Sequence, residues 1–273
     1  MSAGTVVQFK IGIAGLGAIG QALARRLDKG EIPGCQLAAV SGRDPAKTAA
    51  FIAGLSTPVA SVALGELASH ADIVVECAPS ALLREIVLPA VQAGKKVIVL
   101  SVGALLAHPD LMSGAAGPGQ IMVPTGALIG LDAVTAAAVG KIHSVRMVTR
   151  KPPLGLLGAP YLVQHGIEVA GLTAPLKVFD GSAREAAVGF PANLNVAVAL
   201  SLAGIGPDKT MLEIWADPTV VRNTHTITVD SDSAKFTMTI ENIPSENPKT
   251  GLITAQSIVA MLRKLATPVR IGT

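Results

Sequence analysis

Two stretches carry residue types at spacings that could do chemistry. In KIGIAGLGAIGQALARRL, Lys10 to Leu27, glycines stand at Gly15, Gly17 and Gly20 between an apolar run and a helical pattern. In that setting Gly15 permits a tight turn, Gly17 lets backbone approach a pyrophosphate, and Gly20 lets helix and strand pack closely. The helix that opens there offers unpaired N–H groups and a partial positive charge to phosphates. Glycine is abundant in this chain (28 residues), so the spacing alone is weak and its place between strand and helix carries the reading. The loop Gly15, Leu16, Gly17, Ala18, Ile19, Gly20 is expected to hold a dinucleotide. The second stretch, ADPTVVRNTHTITV, sets His225 at a loop-to-strand boundary just after Asp217, Arg222 and Asn223. An imidazole can exchange a proton near neutral pH, as oxidation of an amine or alcohol requires. His70, His108, His143 and His165 have no comparable company.

The end of the second apparent strand discriminates between the two nicotinamide cofactors. An acidic residue there would bind the ribose 2′-hydroxyl and repel a 2′-phosphate. The chain reads VSGRDP instead. Ser41 and Arg43 suit a phosphate, while Asp44 is placed to cap the following helix with Pro45 at its first position. NADP is therefore expected to be accepted at least as readily as NAD. ECAPS, Glu76 to Ser80, ends the third apparent strand, where Ala78 and Pro79 can lie near the nicotinamide ribose; a simple strand-to-helix turn explains them almost as well. No His, Cys and carboxylate spacing suggests a metal, and no G-x-S-x-G elbow is present.

The elements that must position these residues follow from composition and period. Half of the 273 residues are hydrophobic, 15% are charged and only 3% are aromatic. The core must be aliphatic, and aromatic platforms for nucleic acid have little material. A net charge of +3, from 22 basic and 19 acidic residues without long runs, argues against nucleic-acid binding as well. Cys35 and Cys77 are expected to be buried, inert thiols. No apolar stretch is long enough to span a bilayer and no signal-type segment opens the chain, so a reduced cytoplasmic protein that avoids membranes is expected.

Short apolar runs alternate with helical patterns through the first half: FKIGIAGLG, CQLAAVSGR, ADIVVECAPS, KKVIVLSVG and QIMVPTGAL as strands, QALARRL and DPAKTAAFIAGL as helices. Strands apolar on both faces imply a parallel sheet between helical layers, a doubly wound Rossmann-type α/β domain. Beyond about Gly130 the runs become polar–apolar strands, and HTITVDSDSAKFTMTIENI alternates as a hairpin turning at DSDS. Residues 1–130 are thus expected to form the dinucleotide domain and 131–250 an α+β catalytic domain. The last helix, about 251–273, is a candidate to return to the first domain.

DGSAREAAVGFPANLNVAVALSLAG, ADPTVVRNTHTITV and IENIPSENPKTG, together with GIAGLGAIG, resemble the L-aspartate dehydrogenase family over nearly the whole chain. The resemblance implies NAD(P)-dependent oxidation of L-aspartate to iminoaspartate, which hydrolyses to oxaloacetate and ammonia or feeds NAD synthesis. It also implies a homodimer. It puts the family's active-site histidine at His225. The cofactor-contacting asparagine falls at Asn195, with Asn193 as the fallback, and either could instead cap the nearby helix. A further cofactor contact falls at Ile129, where the family pattern expects alanine. A dicarboxylate needs cations around it. Arg222 and Lys249 are the candidates, with Asn193 as an uncharged substrate contact and Arg150, Lys151 and Lys177 as further possibilities that sequence does not rank. Other readings on the same first half are a dihydrodipicolinate reductase-like or homoserine dehydrogenase-like enzyme, or a dinucleotide-binding sensor without chemistry.

Overall fold

The computed structural model describes residues 8–191, 194–244 and 251–272. The chain divides into two compact units, one running to Pro124 and resuming over Ala255–Ile271, the other spanning Thr125–Thr254. The division falls six residues before the boundary expected at 130. The reason is packing: Leu128 is buried in the second unit's core, and the Asn242 amide donates to the Ala127 carbonyl at 3.0 Å.

The first unit is a strand–helix alternation. Its chain order is β1 (Phe9–Ala14), α1 (Ala18–Asp28), β2 (Cys35–Ser41), α2 (Pro45–Ala53), β3 (Ala60–Ser61), α3 (Leu67–His70) and β4 (Ile73–Glu76). Then come α4 (Leu83–Gln92), β5 (Lys96–Val99), the single-turn helices α5 (Val102–Leu105) and α6 (Pro109–Met112), and β6 (Gln120–Met122). The strands order as β3-β2-β1-β4-β5-β6, every pair parallel. All four residues of β4 and the last four of β1 are buried, as a central parallel strand covered on both faces must be. The order reverses between β1 and β4, and ligands of such sheets bind beyond the strands' carboxyl ends at that point. Asp44 caps α2, accepting from the Ala46 and Lys47 amides at 3.0 and 3.1 Å. Burial pushes the Cys35 thiol up to about 11 and raises that of Cys77 as well, so both are poor nucleophiles.

The second unit begins with α7 (Leu131–Ala137) and the long β7 (Ile142–Lys151). It continues through α8 (Pro160–Gln164), β8 (Leu176–Ser182), α9 (Ala183–Gly189), α10 (Asn195–Ala203), β9 (Thr210–Ala216), β10 (Asn223–Ser231) and β11 (Lys235–Asn242). The stretch REAAVGFPANLNVAVALSLAG holds two helices, α9 and α10. Pro191 lacks an N–H and disfavours helical backbone at Phe190, so α9 stops before it. The sheet order is β11-β10-β7-β9-β8, with β7 and β9 parallel and the other neighbours antiparallel. Its inner face is built from Val145, Met147, Leu212, Ile214, Ile227 and Val229, packed with Val134, Phe190 and Leu200. Its outer face is polar: Thr226 meets Thr239 and Thr228 meets Thr237 across the β10–β11 hairpin. A final helix, α11 (Leu252–Ala266), buries Ile258, Val259 and Leu262 in the first unit's core beside Leu23, Leu27 and Ile32.

Candidate active site

In the first unit, the glycines sit where β1 ends and α1 begins. Gly15 has φ +100°, which L side chains rarely adopt, and a Cβ there would lie 2.7 Å from the Cys77 carbonyl oxygen. The β1 terminus is thus pressed against the β4 terminus at the switch point, next to Ala78 and Pro79. A Cβ on Gly20 would come within 2.0 Å of the Gly15 carbonyl oxygen, so α1 can lie this close only without one. Gly17 differs: a Cβ there would meet nothing within 4 Å. It is the N-cap of α1, and no side chain caps that helix and no acidic residue stands in its first turn. The first turn of α1 therefore has no side-chain cap, and no acidic residue of that turn offsets the dipole's positive charge. A glycine with no packing reason at an open helix N-terminus fits a pyrophosphate. Leu16 and Ile19 are half-buried and Ala18 is exposed, which leaves the loop's outer rim to backbone.

Nearby, the Gly15 amide donates to the Ser41 carbonyl at 2.8 Å, fixing the end of β2 against the loop. Ser41 itself is buried, while Arg43 is exposed. The Asp44 carboxylate is engaged at the start of α2. Glu76, fully buried at the end of β4, accepts from the Leu100 and Ser101 amides and the Ser101 hydroxyl at 3.0, 2.8 and 3.1 Å. Burial raises its carboxyl above the usual range against these hydrogen bonds. It ties the ends of β4 and β5 together two residues before Ala78.

In the second unit, polar side chains gather at one end of the apolar inner face. His225 pairs in register with Thr149 on β7 and Ile240 on β11. Its side chain shares the phase of Ile227 and Val229 and is only 3% exposed. Its Nδ1 lies 3.0 Å from the Thr149 hydroxyl. One residue beyond the Thr224–Arg150 pair lie Asn223 on β10 and Lys151 on β7, and Asn223 pairs with Asn242 on β11. Lys151 is 5% exposed and Asn242 3%. Desolvation dominates here. It pushes the Lys151 ammonium down to about 8 and, aided by the Lys151 charge, the His225 imidazole down to about 3. The neutral form of the His225 ring is therefore favoured. The Asn242 side-chain oxygen is buried and meets no hydrogen-bond donor among the described residues. Buried acceptors are seldom left so, and this one offers a place to a ligand N–H.

The cations considered from sequence separate clearly. Arg150 is bound to Asp217 at 2.9 Å and stacks on Trp215, and Lys177 is bound to exposed Asp180 at 2.7 Å. Arg222 is exposed beside β10. Lys249 and Asn193 lie outside the described residues. Ile129 is 41% exposed in the loop before α7, and Asn195 is the exposed first residue of α10. Thr149, Asn242 and the inward course of Lys151 escaped the sequence reading. The signal was strand phase, because Val145, Met147, Thr149 and Lys151 alternate onto one face. Among the described residues no group of His, Cys, Asp or Glu could hold a metal ion, and no helix is long and apolar enough to cross a membrane.

Comparison with known proteins gives these two sites a common context. Residues 15–116 match the family described as "Homoserine dehydrogenase, NAD binding domain", and residues 132–265 the family described as "Aspartate dehydrogenase, C-terminal". The chain is 68% identical to L-aspartate dehydrogenase 3 of Bordetella bronchiseptica, covering 96% of this chain and 97% of that one. It is 60% identical to the L-aspartate dehydrogenase of Bradyrhizobium diazoefficiens over 97% and 95% of the two chains. Among solved structures, the aspartate dehydrogenase of Thermotoga maritima is similar with a TM-score of 0.73 at 26% identity, covering 97% of this chain and all of that one. The glycine loop falls in the first match and the His225–Lys151 end of the sheet in the second, and the chain belongs to the L-aspartate dehydrogenase family.

Proposed function

We propose that the chain oxidises L-aspartate to iminoaspartate with NAD or NADP, the imine then hydrolysing to oxaloacetate and ammonia. The observation that carries this reading is the buried pair His225–Thr149 at the polar end of an otherwise apolar sheet face, inside the segment that matches the aspartate dehydrogenase family. The bound nicotinamide supplies the acceptor for the hydride that leaves Cα of the substrate.

The chain's residues divide the remaining work. The loop Gly15 to Gly20 holds the pyrophosphate, Gly15 by shaping the turn and the start of α1 by its backbone N–H groups, and Arg43 with Ser41 favours a 2′-phosphate. Ala78 and Pro79 flank the same strand ends, while Ile129 and Asn195 enter on the family resemblance alone. Thr149 fixes one nitrogen of His225, so the neutral ring presents its other nitrogen to substrate or to the water that attacks the imine. Arg222 and Lys249 are proposed for the substrate carboxylates. A homodimer and a reduced cytoplasmic setting complete the proposal, with supply of iminoaspartate to NAD synthesis as one use of the product.

The test is an initial-rate survey at alkaline pH, with L-aspartate against other amino acids and hydroxy acids and with NAD and NADP in turn. Turnover confined to L-aspartate is expected. Activity on another substrate with silence on aspartate would keep the fold and cofactor and discard the substrate. Dinucleotide binding without turnover of anything would favour the sensor.

A further inference from the structure

Glu76 is a fully buried carboxylate that no proposed step uses. It ends a central parallel strand whose other residues, Ile73, Val74 and Val75, are all apolar and buried. A carboxylate there costs free energy that an aliphatic side chain would not. We propose that Glu76 is a positioning residue for the dinucleotide, fixing the floor under its nicotinamide half without touching it. The inference rests on the reading of the glycine loop as a dinucleotide site and extends that site across the sheet.

Strand order sets where each half of the cofactor lies. β2 and β4 flank β1 on opposite sides. With the pyrophosphate at the start of α1 and the adenosine ribose at the end of β2, the other half crosses to the β4 side. There it meets the turns that follow β4 and β5, and these are the turns that Glu76 joins. The β4–β5 ladder ends at the Glu76–Val99 pair. Beyond it the carboxylate takes over. Its Oε2 accepts from the Leu100 and Ser101 amides at 3.0 and 2.8 Å, and its Oε1 accepts from the Ser101 hydroxyl at 3.1 Å. Ser101 is the N-cap of α5, yet its hydroxyl leaves that helix uncapped and turns to Glu76 instead.

The other side of the turn is held as tightly. The Cys77 amide donates to the Ala14 carbonyl at 2.8 Å. A Cβ on Gly15 would lie 2.7 Å from the Cys77 carbonyl oxygen and 2.9 Å from the Ala78 Cα. A run of direct contacts therefore leads from Gly15 through Cys77 and Ala78 to the Glu76 carboxylate, and on to Leu100 and Ser101. It spans the pyrophosphate turn and the nicotinamide floor within the first unit. Hydride transfer makes such a ruler useful, since a misplacement of about 1 Å costs on the order of a hundredfold in rate. Glutamine can keep the clamp: its oxygen serves both amides while its amide nitrogen donates to a rotated Ser101 hydroxyl.

The test compares wild type with Glu76→Ala, Glu76→Asp and Glu76→Gln. ADP, read by calorimetry, reports the adenosine and pyrophosphate half, and NADPH, read by fluorescence titration, reports the whole cofactor. In Glu76→Ala, ADP affinity should stay within about twofold, NADPH affinity should fall about tenfold, and kcat with L-aspartate about a hundredfold. Glu76→Gln should stay within about threefold of wild type in all three. Equal losses of ADP and NADPH affinity in Glu76→Ala would overturn the proposal, because the residue would then merely support the fold. Unchanged NADPH affinity and kcat would overturn it too, as would a glutamine variant as impaired as the alanine one. Should Glu76→Ala fail to fold, Glu76→Asp decides: its carboxylate is drawn back by one methylene and must show the same split between ADP and NADPH. A wild type that binds neither ADP nor NADPH would remove the cofactor reading together with this proposal. A wild type that binds both, with an alanine variant that does so equally well and turns over normally, removes the proposal alone.

Discussion

The two sites handle charge in opposite ways. At the glycine loop, the attraction for an anion comes from backbone dipoles at an open helix terminus, with Gly17 leaving space beside it and no acidic residue in the first turn. Such an arrangement needs no burial and carries no titratable group. At the end of the second sheet, the charge-bearing groups are side chains driven into an apolar face, where burial sets their protonation. The first design makes binding indifferent to pH. The second gives the chemistry a pH dependence and costs stability, because a buried lysine resists being charged.

The largest break in this comparison is expected at His225. His225→Ala should lower kcat on L-aspartate by roughly a hundredfold or more, with dinucleotide affinity, read by NADPH fluorescence titration, within twofold of wild type. Near-normal turnover would remove the residue from the site. Next is the stability cost. The Lys151 amine stands at about 8 in the fold against 10.5 when unfolded. The unfolded chain therefore binds more protons between those values, wild-type stability rises with pH across that window, and below it the penalty is fully present. Lys151→Met should accordingly stabilise the protein by about 3 kcal/mol at pH 7, with the gain fading as pH passes 10. Urea unfolding at pH 7 and pH 10 measures it; an equal gain at both would point to packing alone.

Gly17→Ala sharpens the contrast from the other side. Its methyl meets no protein atom, so Tm should stay within a degree or two while dinucleotide affinity falls about tenfold or more as the methyl occupies the anion's space. Unchanged affinity would show that nothing binds there. The smallest effect is expected at exposed Arg43, where Arg43→Ala should cut kcat/KM with NADP several-fold and leave NAD within twofold. Strict preference of the wild type for NAD would contradict that assignment.

How far each region can be read from sequence follows from its chemistry. The loop is local: three glycines within six residues, a preceding strand and a following helix, all visible in one window. The doubly wound sheet was legible for the same reason, since each βα unit announces itself by its period. The polar end of the second sheet draws Thr149 and Lys151, His225, and Asn242 from three strands up to 93 positions apart. No window contains them, and only strand pairing makes them neighbours. His225 was visible from its loop-to-strand position after Asp217, Arg222 and Asn223, and again through resemblance. Lys151 looked like one cation among several, although its alternation with Val145 and Met147 already placed it on the core side. The boundary near 130 shifted because the tether Thr125–Leu128 belongs by packing to the second unit, which hydropathy does not reveal.

The return of α11 to the first unit has a consequence for synthesis. Apart from the terminal residues 272–273, the second unit is one segment of chain, whereas the first closes only when Ile258, Val259 and Leu262 fill their places beside Leu23 and Leu27. On the ribosome, the second unit has the whole of its main segment, Thr125–Thr254, before the first unit has all of its own, though the latter was begun first. Until residue 262 has emerged, the earlier unit carries a vacant apolar groove, so its order of completion is the reverse of its order of translation.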